Sequence, residues 1–302
     1  MSPVVLPKYT GIILFNDHPV EEIRKFINWT SFFRCWGIPG RIPALFEHPR
    51  KGKEAKKLFD DAGAMLHRIH SEKLLTARGV AGIFPANAVG NDVEVYSPDG
   101  KGKVQAVFHF LRNQEKKPEG EPNLCLADYI PQKDTGITGY IGCFALTTGI
   151  GVGKSKPDEY DSIMMKMLAD RLAEAFSELM HFKIRTEFWA YEKTNVPDLP
   201  SILKGNYPGI RPAPGYPACP DHTEKKIIFE LLDAEDNTGI RLTENFAMDP
   251  ASSICGYYFA GSNVKYFSVG RILEDQLENY ASRKKISKEM VKKFLASNLN
   301  YE

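Results

Sequence analysis

Residues 91–109, NDVEVYSPDGKGKVQAVFH, decide the class of fold. Two short runs rich in β-branched and aromatic residues flank the segment SPDG at residues 97–100, which has the composition of a tight turn. Such a turn joins neighbouring antiparallel strands and leaves no room for a crossover helix. The apolar positions of the two runs are Val93, Val95, Val104, Val107 and Phe108.

The same patterns, followed outward along the chain, predict further strands and helices. Short apolar runs predict strands at residues 124–130, 140–147, 254–259 and 266–269. Apolar residues at helical spacing predict helices at residues 21–33, 54–74, 158–190, 223–237, 273–283 and 287–295. Thr223 is the expected N-cap of the fourth helix, and Gly239 follows its end.

This order of elements predicts a single α+β domain covering residues 1–302, with a largely antiparallel sheet flanked by helices. Regular βαβ alternation is missing, and short turns join the strands. Only residues 195–220, rich in Pro and Gly, resemble a linker, and we interpret them as a functional loop.

Composition excludes several classes of protein. The 302 residues are 43% hydrophobic and 25% charged, with 39 basic and 38 acidic side chains, so no global charge favours nucleic acid or an anionic membrane. The five cysteines include no CxxC, which favours free thiols in a reducing cytoplasm. No apolar run reaches the roughly 20 residues that cross a bilayer, and the N-terminus lacks the features of a signal peptide.

Two short motifs have simpler explanations than a ligand site. Residues 148–155, TGIGVGKS, end like a phosphate-binding loop, but Thr148 stands where the motif requires glycine, and Pro157 falls where its helix would continue. We interpret the segment as a glycine-rich connection. His67 and His70 share a helical face, but no third metal ligand is evident, so a surface pair is the better interpretation.

The most informative segment is residues 209–225, GIRPAPGYPACPDHTEK. Its prolines stiffen the backbone, and one arginine and one tyrosine stand in it. A guanidinium on a rigid loop is suited to bidentate capture of a carboxylate, as in an amino-acid-like ligand. On composition alone, such a site and a purely structural loop are equally good explanations.

RPAPGYPACPDHTEK resembles the signature loop of the activation domain of cobalamin-dependent methionine synthase. Supporting segments follow the family's order from end to end of the chain. They are INWTSFF (27–33), ARGV (77–80), FPAN (84–87), ADRLAEAF (169–176), LTENFAM (242–248), SNVKYF (262–267) and DQLENYA (275–281).

The resemblance implies one C-shaped domain around a twisted antiparallel sheet that binds S-adenosylmethionine. It also implies a role in reductive remethylation, in which inactive cob(II)alamin is converted to methylcobalamin. Cobalamin would be supplied by the cobalamin-binding domain of methionine synthase, and the electron by flavodoxin or a flavoprotein reductase. The chain would not turn over alone.

The family's ligand-binding positions carry over to seven residues. Arg211 would hold the ligand's carboxylate, Ala213 would offer backbone contacts, and Tyr216, Tyr266 and Phe267 would lie beside the ligand. Glu174 matches an acidic position that is equally well explained as a helix-surface glutamate or as a partner for the sulfonium. Asn28 stands where the family commonly has aspartate, and it lacks the charge that would pair with the ligand's ammonium.

Two other functions compete with reactivation. A docking module with weak or no ligand binding is compatible with Asn28, although the presence of Arg211 in the signature loop argues against it. A self-sufficient methyltransferase ranks low, because the glycine-rich strand-to-helix loop of a Rossmann-type enzyme is not evident.

Overall fold

The structure, a computed structural model, describes residues 4–100, 102–152, 158–194 and 198–299. The strands are β1 (Gly11–Phe15), β2 (Thr76–Val89), β3 (Asp92–Tyr96), β4 (Val104–His109), β5 (Gly139–Ile150), β6 (Arg241–Leu242), β7 (Met248–Asp249) and β8 (Ser253–Tyr258). The helices are α1 (Val20–Ile23), α2 (Trp29–Cys35), α3 (Gly52–Ser71), α4 (Glu159–Lys183), α5 (Leu199–Leu203), α6 (Glu224–Leu232), α7 (Ala234–Thr238), α8 (Glu274–Lys284) and α9 (Lys288–Phe294).

One antiparallel sheet organises the fold, as predicted. Its strand order is β4-β3-β2-β5-β8, and the long β2 pairs with β1 through residues 79–83 and with β3 through residues 86–89. The turn at residues 97–100 does join β3 to β4. β8 ends the sheet, which leaves one of its edges available to another segment.

Helices cover both faces of the sheet because its side chains alternate between two cores. On β5, Phe144 and Leu146 enter the core that contains the apolar stripe of α4, whereas Cys143 and Ala145 enter the core beneath α6 and α7. The predicted stripe of α3 is buried as well, at Leu58, Ala62, Met65 and Ile69. A third, smaller core joins α8 and α9.

The extended part of the signature loop, residues 210–212, pairs with the remaining edge of β8. Ile210 and Phe259 exchange backbone hydrogen bonds of 3.0 Å, and the Tyr257 amide donates to the Pro212 carbonyl at 2.8 Å. Because side chains alternate along an extended chain, Ile210 enters the α6-side core while Arg211 points to the α4 face. The sheet edge therefore fixes where Arg211 stands.

A buried charge cluster holds the end of the loop. The Lys284 ammonium on α8 lies 2.7 Å from carboxylate oxygens of both Asp221 and Glu224, and the Tyr280 hydroxyl donates to Asp221 at 2.8 Å. Burial alone would raise the pKa of Asp221, but the charge and hydrogen bonds of Lys284 outweigh burial and lower it. Removing one partner of such a cluster would leave a buried charge uncompensated.

Two strand predictions were wrong. Residues 124–130 contain a single bridge at Cys125 and then a 3₁₀ turn, Leu126–Tyr129. The Asp128 carboxylate accepts the Cys125 amide at 2.9 Å and so turns the backbone there. Residues 266–269 form no strand. Side-chain contacts and isolated backbone hydrogen bonds hold this segment instead of a ladder, for example the bond from the Val269 amide to the Pro217 carbonyl.

Three helix predictions need correction. The helix expected at residues 21–33 divides into α1, a 3₁₀ turn and α2, because Asn28 caps α2 with its side chain. The helix expected at residues 223–237 breaks at Asp233, which has a φ of 45°. Thr223 makes no side-chain cap, and its hydroxyl instead accepts a hydrogen bond from Lys284. The long helix becomes a π-helical turn, Ile184–Phe188, after α4.

The remaining predictions concern the C-terminal helices, the Pro- and Gly-rich loop and the two short motifs. α8 and α9 match their predicted ranges, and residues 195–220 are irregular apart from α5, with residues 195–197 outside the described ranges. Of the phosphate-loop-like segment, residues 153–155 are likewise outside them, as is Pro157. His67 and His70 are exposed, and the described part of the chain contains no group of three side chains suited to a metal ion.

Gly256→Ala tests the pairing of the loop with the sheet. A Cβ at this position would lie 2.7 Å from the Pro212 carbonyl oxygen and 3.1 Å from the Phe144 ring, so the loop must move away from β8. We expect a loss of about 1–3 kcal/mol in the free energy of unfolding, as for other overpacked sites. Chemical denaturation would measure it.

Gly63→Ala is the matched control, because Gly63 lies on the exposed face of α3 and a Cβ there would meet nothing within 4 Å. We expect this variant to gain up to about 1 kcal/mol from helix propensity. Equal stability of Gly256→Ala and the parent protein would contradict tight packing of the loop on β8.

Candidate functional site

The seven residues predicted from the sequence line one cavity. It measures about 400 Å³ and lies between α4, the end of the sheet and the signature loop. Asn28 reaches it from the start of α2, and Glu174 from α4. The loop contributes Arg211, Ala213 and Tyr216, and the segment after β8 contributes Tyr266 and Phe267. Residues that are distant in sequence therefore meet in one place.

The carboxylate of Glu178 on α4 accepts two hydrogen bonds from the guanidinium of Arg211. Arg211 Nη1 donates to Glu178 Oε2 at 2.8 Å, and Nη2 donates to Glu178 Oε1. Burial alone would lower the pKa of Arg211, but the carboxylate of Glu178 outweighs burial and raises it. Arg211 is therefore always positively charged, and Glu178 already occupies the edge of its guanidinium between Nη1 and Nη2.

Tyr207 occupies a second position on the same guanidinium. Arg211 Nη1 also donates to the Tyr207 hydroxyl oxygen at 2.6 Å, and the Arg185 guanidinium stacks 4.0 Å from the centre of the Tyr207 ring. Burial raises the pKa of Tyr207 to about 12, so its hydroxyl is protonated at neutral pH. Arg185 itself is buried and pairs with Glu192 at 2.6 Å.

A stack of aromatic rings forms the wall behind the cavity. Phe144, which lines the cavity, stacks on Tyr258 at 4.6 Å between ring centres, and Tyr258 stacks on His181 at 5.2 Å. Burial, and then the charges of Arg185 and Arg211, lower the pKa of His181 far below its usual value. This histidine is therefore neutral and adds no positive charge beside Arg211.

Asn28 contributes to the local structure as well as lining the cavity. Its side-chain oxygen accepts the Ser31 amide at 3.2 Å and caps α2. Asparagine has a single carbonyl oxygen with two lone pairs, so only one of them is available to the cavity. An aspartate at this position would keep the cap with one oxygen and present a second, charged oxygen.

Two exposed tyrosines form the rim of the cavity. The Tyr216 side chain is 67% exposed and that of Tyr266 is 57% exposed. The Tyr266 hydroxyl is nonetheless fixed, because it accepts the backbone amide of Arg211 at 2.9 Å. The rim thus presents two aromatic rings to solvent. The hydrogen bond from the Arg211 amide to the Tyr266 hydroxyl connects one of them to the signature loop.

Glu174 lies at the outer end of the cavity and is half-exposed. It forms an ion pair of 2.8 Å with Arg171 one turn earlier on α4. The structure therefore fits both earlier interpretations, since Glu174 is a helix-surface glutamate that also borders the cavity.

Several residues of the site were missed in the sequence. Glu178 follows Glu174 by four residues and so lies one turn further along the same face of α4, which is a detectable signal. Tyr207 stands in the Pro- and Gly-rich loop, four residues before Arg211. Phe144 and His181 have no such signal, because they resemble ordinary core residues of a strand and a helix.

Known proteins resemble this chain over most of its length. The family model described as "Vitamin B12 dependent methionine synthase, activation domain" matches residues 19–285. The chain belongs to this family. Its fold is similar to that in the crystal structure of the MetH reactivation domain bound to AdoHcy, with a TM-score of 0.95 and 43% sequence identity. The match covers 99% of this chain and 93% of that one.

Membership of the activation-domain family agrees with the α+β class and the largely antiparallel sheet predicted from the sequence. Within the described ranges, no helix is both long enough and apolar enough to cross a membrane.

Proposed function

We propose that this chain binds S-adenosylmethionine in the cavity beneath Arg211 and supports the reductive remethylation of cob(II)alamin in methionine synthase. The observation that carries the proposal is the meeting of Asn28, Arg211 and Tyr266 at one cavity in a member of the activation-domain family. Binding of AdoHcy, the demethylated form of this ligand, by a 43% identical relative supports it.

The size and polarity of the cavity suit such a ligand. Its volume of about 400 Å³ falls within the range of small-molecule sites. We assign the ligand's carboxylate to the cation of Arg211 and its ammonium to the remaining lone pair of Asn28. These two side chains approach the cavity from different elements, so they would fix the amino-acid end of the ligand at two points.

The other residues that line the cavity would contact the rest of the S-adenosylmethionine molecule. We assign backbone contacts to Ala213 and flanking aromatic contacts to Tyr216, Tyr266 and Phe267. Glu174 would contribute negative charge near the sulfonium. None of these roles requires an acid or a base, because methyl transfer from a sulfonium depends mainly on alignment.

A partner would complete the reaction. Cobalamin supplies the metal chemistry when the cobalamin-binding domain of methionine synthase brings it to the site, and the protein orients the methyl donor. The exposed rings of Tyr216 and Tyr266 leave the rim open to such a partner. Flavodoxin or a flavoprotein reductase would supply the electron, and the isolated chain would not turn over.

Calorimetric titration of S-adenosylmethionine into the parent protein and into Arg211→Ala tests the proposal. A hydrogen bond to a charged group is worth about 1.5–3 kcal/mol, so the variant should bind at least about tenfold more weakly. Arg211→Gln, which leaves a polar partner for Glu178, serves if Arg211→Ala does not fold.

Arg241→Ala is the control, because Arg241 forms an exposed ion pair with Glu235 and does not line the cavity. It should bind as the parent does. Absence of binding by the parent protein would contradict ligand binding and favour the alternative function, a docking module of methionine synthase.

Asn28→Asp tests the assignment of the ammonium. A charged acceptor makes a hydrogen bond about 1 kcal/mol stronger than a neutral one, so the affinity for S-adenosylmethionine should rise about fivefold. Gln105→Glu adds the same charge on exposed strand β4, away from the cavity, and should not change the affinity. An unchanged or lower affinity in Asn28→Asp would exclude this contact.

A further inference from the structure

The hydrogen-bond partners of Arg211 show which edge of its guanidinium is available. A guanidinium has five N–H donors in one plane. Glu178 takes the edge between Nη1 and Nη2, with one carboxylate oxygen on each nitrogen. Tyr207 takes the outer hydrogen of Nη1 at 2.6 Å. Three of the five donors are therefore occupied by the protein itself.

The two remaining donors, on Nε and Nη2, form the second edge at which a carboxylate binds bidentately. Nε of Arg211 donates to no described residue, and Nη2 donates only to Glu178. Arg211 also lines the cavity. A ligand carboxylate can therefore bind side-on at Nε and Nη2 without displacing Glu178 from Nη1 and Nη2.

Burial keeps the arginine and Glu178 together. The side chain of Arg211 is 19% exposed and that of Glu178 is 16% exposed, so separating them would leave a poorly solvated charge on each. Tyr207 cannot rotate away easily, because Arg185 stacks on its ring. The guanidinium is therefore held in one plane before any ligand arrives, which reduces the entropy lost on binding.

We propose that Glu178 is a positioning residue for the ligand: it fixes Arg211 so that the Nε–Nη2 edge receives a carboxylate. The proposal rests on the proposed function and deepens it, since it names the residue that orients the cation for the ligand's carboxylate. Glu178 itself does not contact the carboxylate. Its effect on affinity passes entirely through Arg211.

Glu178→Gln provides the test. The glutamine amide places its own N–H group against one Nη group of Arg211, so the guanidinium loses its bidentate partner and its fixed plane. We expect S-adenosylmethionine and S-adenosylhomocysteine to bind about tenfold more weakly, and by the same factor, since a charge-assisted contact to the carboxylate is lost. Calorimetry with the full chain would measure both.

A ligand without the carboxylate is the decisive control. 5′-Methylthioadenosine contains the adenosyl group but no amino-acid portion, so its affinity should be the same in Glu178→Gln and the parent protein. In an Arg211→Gln background, Glu178→Gln should cause no further loss for any ligand. Both results would distinguish positioning of Arg211 from a general disturbance of the cavity, which would weaken all three ligands.

Three outcomes with Glu178→Gln would overturn the proposal. Weaker binding of S-adenosylmethionine alone would mean that Glu178 acts directly on the sulfonium. Equal weakening of 5′-methylthioadenosine would mean a structural role, and unchanged affinity for all ligands would mean no role. Tyr207→Phe removes the contacts of the hydroxyl with Arg211 Nη1 and with Glu178 but leaves Glu178 bound to both Nη groups. It provides a milder second variant if Glu178→Gln does not fold, and it should weaken the two carboxylate ligands alone.

Failure of the proposed function gives a different result. If the parent protein bound neither S-adenosylmethionine nor S-adenosylhomocysteine, ligand binding and the role of Glu178 would both be excluded. Binding by the parent that is indifferent to Glu178→Gln would exclude only the positioning role.

Discussion

The backbone pairing between residues 210–212 and β8 is the constraint on which the site depends. It converts a proline-rich loop into an extra edge of the sheet, and strand alternation then sends Ile210 into one core and Arg211 towards α4. The absence of a side chain at Gly256 permits the approach, because a Cβ there would meet the Pro212 carbonyl. A rigid sheet therefore sets the position of the cation, as accurate binding sites require.

Charge balance explains the surroundings of Arg211. Glu178 compensates the buried cation, and Glu192 does the same for Arg185. His181, placed between the two arginines, is kept neutral by burial and by their charges. The cluster is thus close to neutral overall. That arrangement fits the proposed role, in which the chain would position a methyl donor and a partner's cobalamin would carry the reaction.

The sequence predicts features that are set locally. The SPDG turn indicates the β3–β4 hairpin, and apolar spacing indicates α3 and α4, because each pattern lies within one element. Asp128 and Asn28 show the limit, since their side-chain oxygens accept hydrogen bonds from nearby backbone amides and so turn or cap the backbone where periodicity predicts continuous elements. The family resemblance names seven residues that line the cavity, and helical spacing from Glu174 points to Glu178. The contacts of Glu178 and Tyr207 with Arg211, however, appear only in the folded chain.

A crystal structure of the complex with S-adenosylhomocysteine tests the central claim most directly. We expect one carboxylate oxygen of the ligand within hydrogen-bond distance of Arg211 Nε and the other within reach of Nη2, with Glu178 still bound to Nη1 and Nη2. A ligand carboxylate that displaces Glu178, or that makes no contact with Arg211, would contradict it.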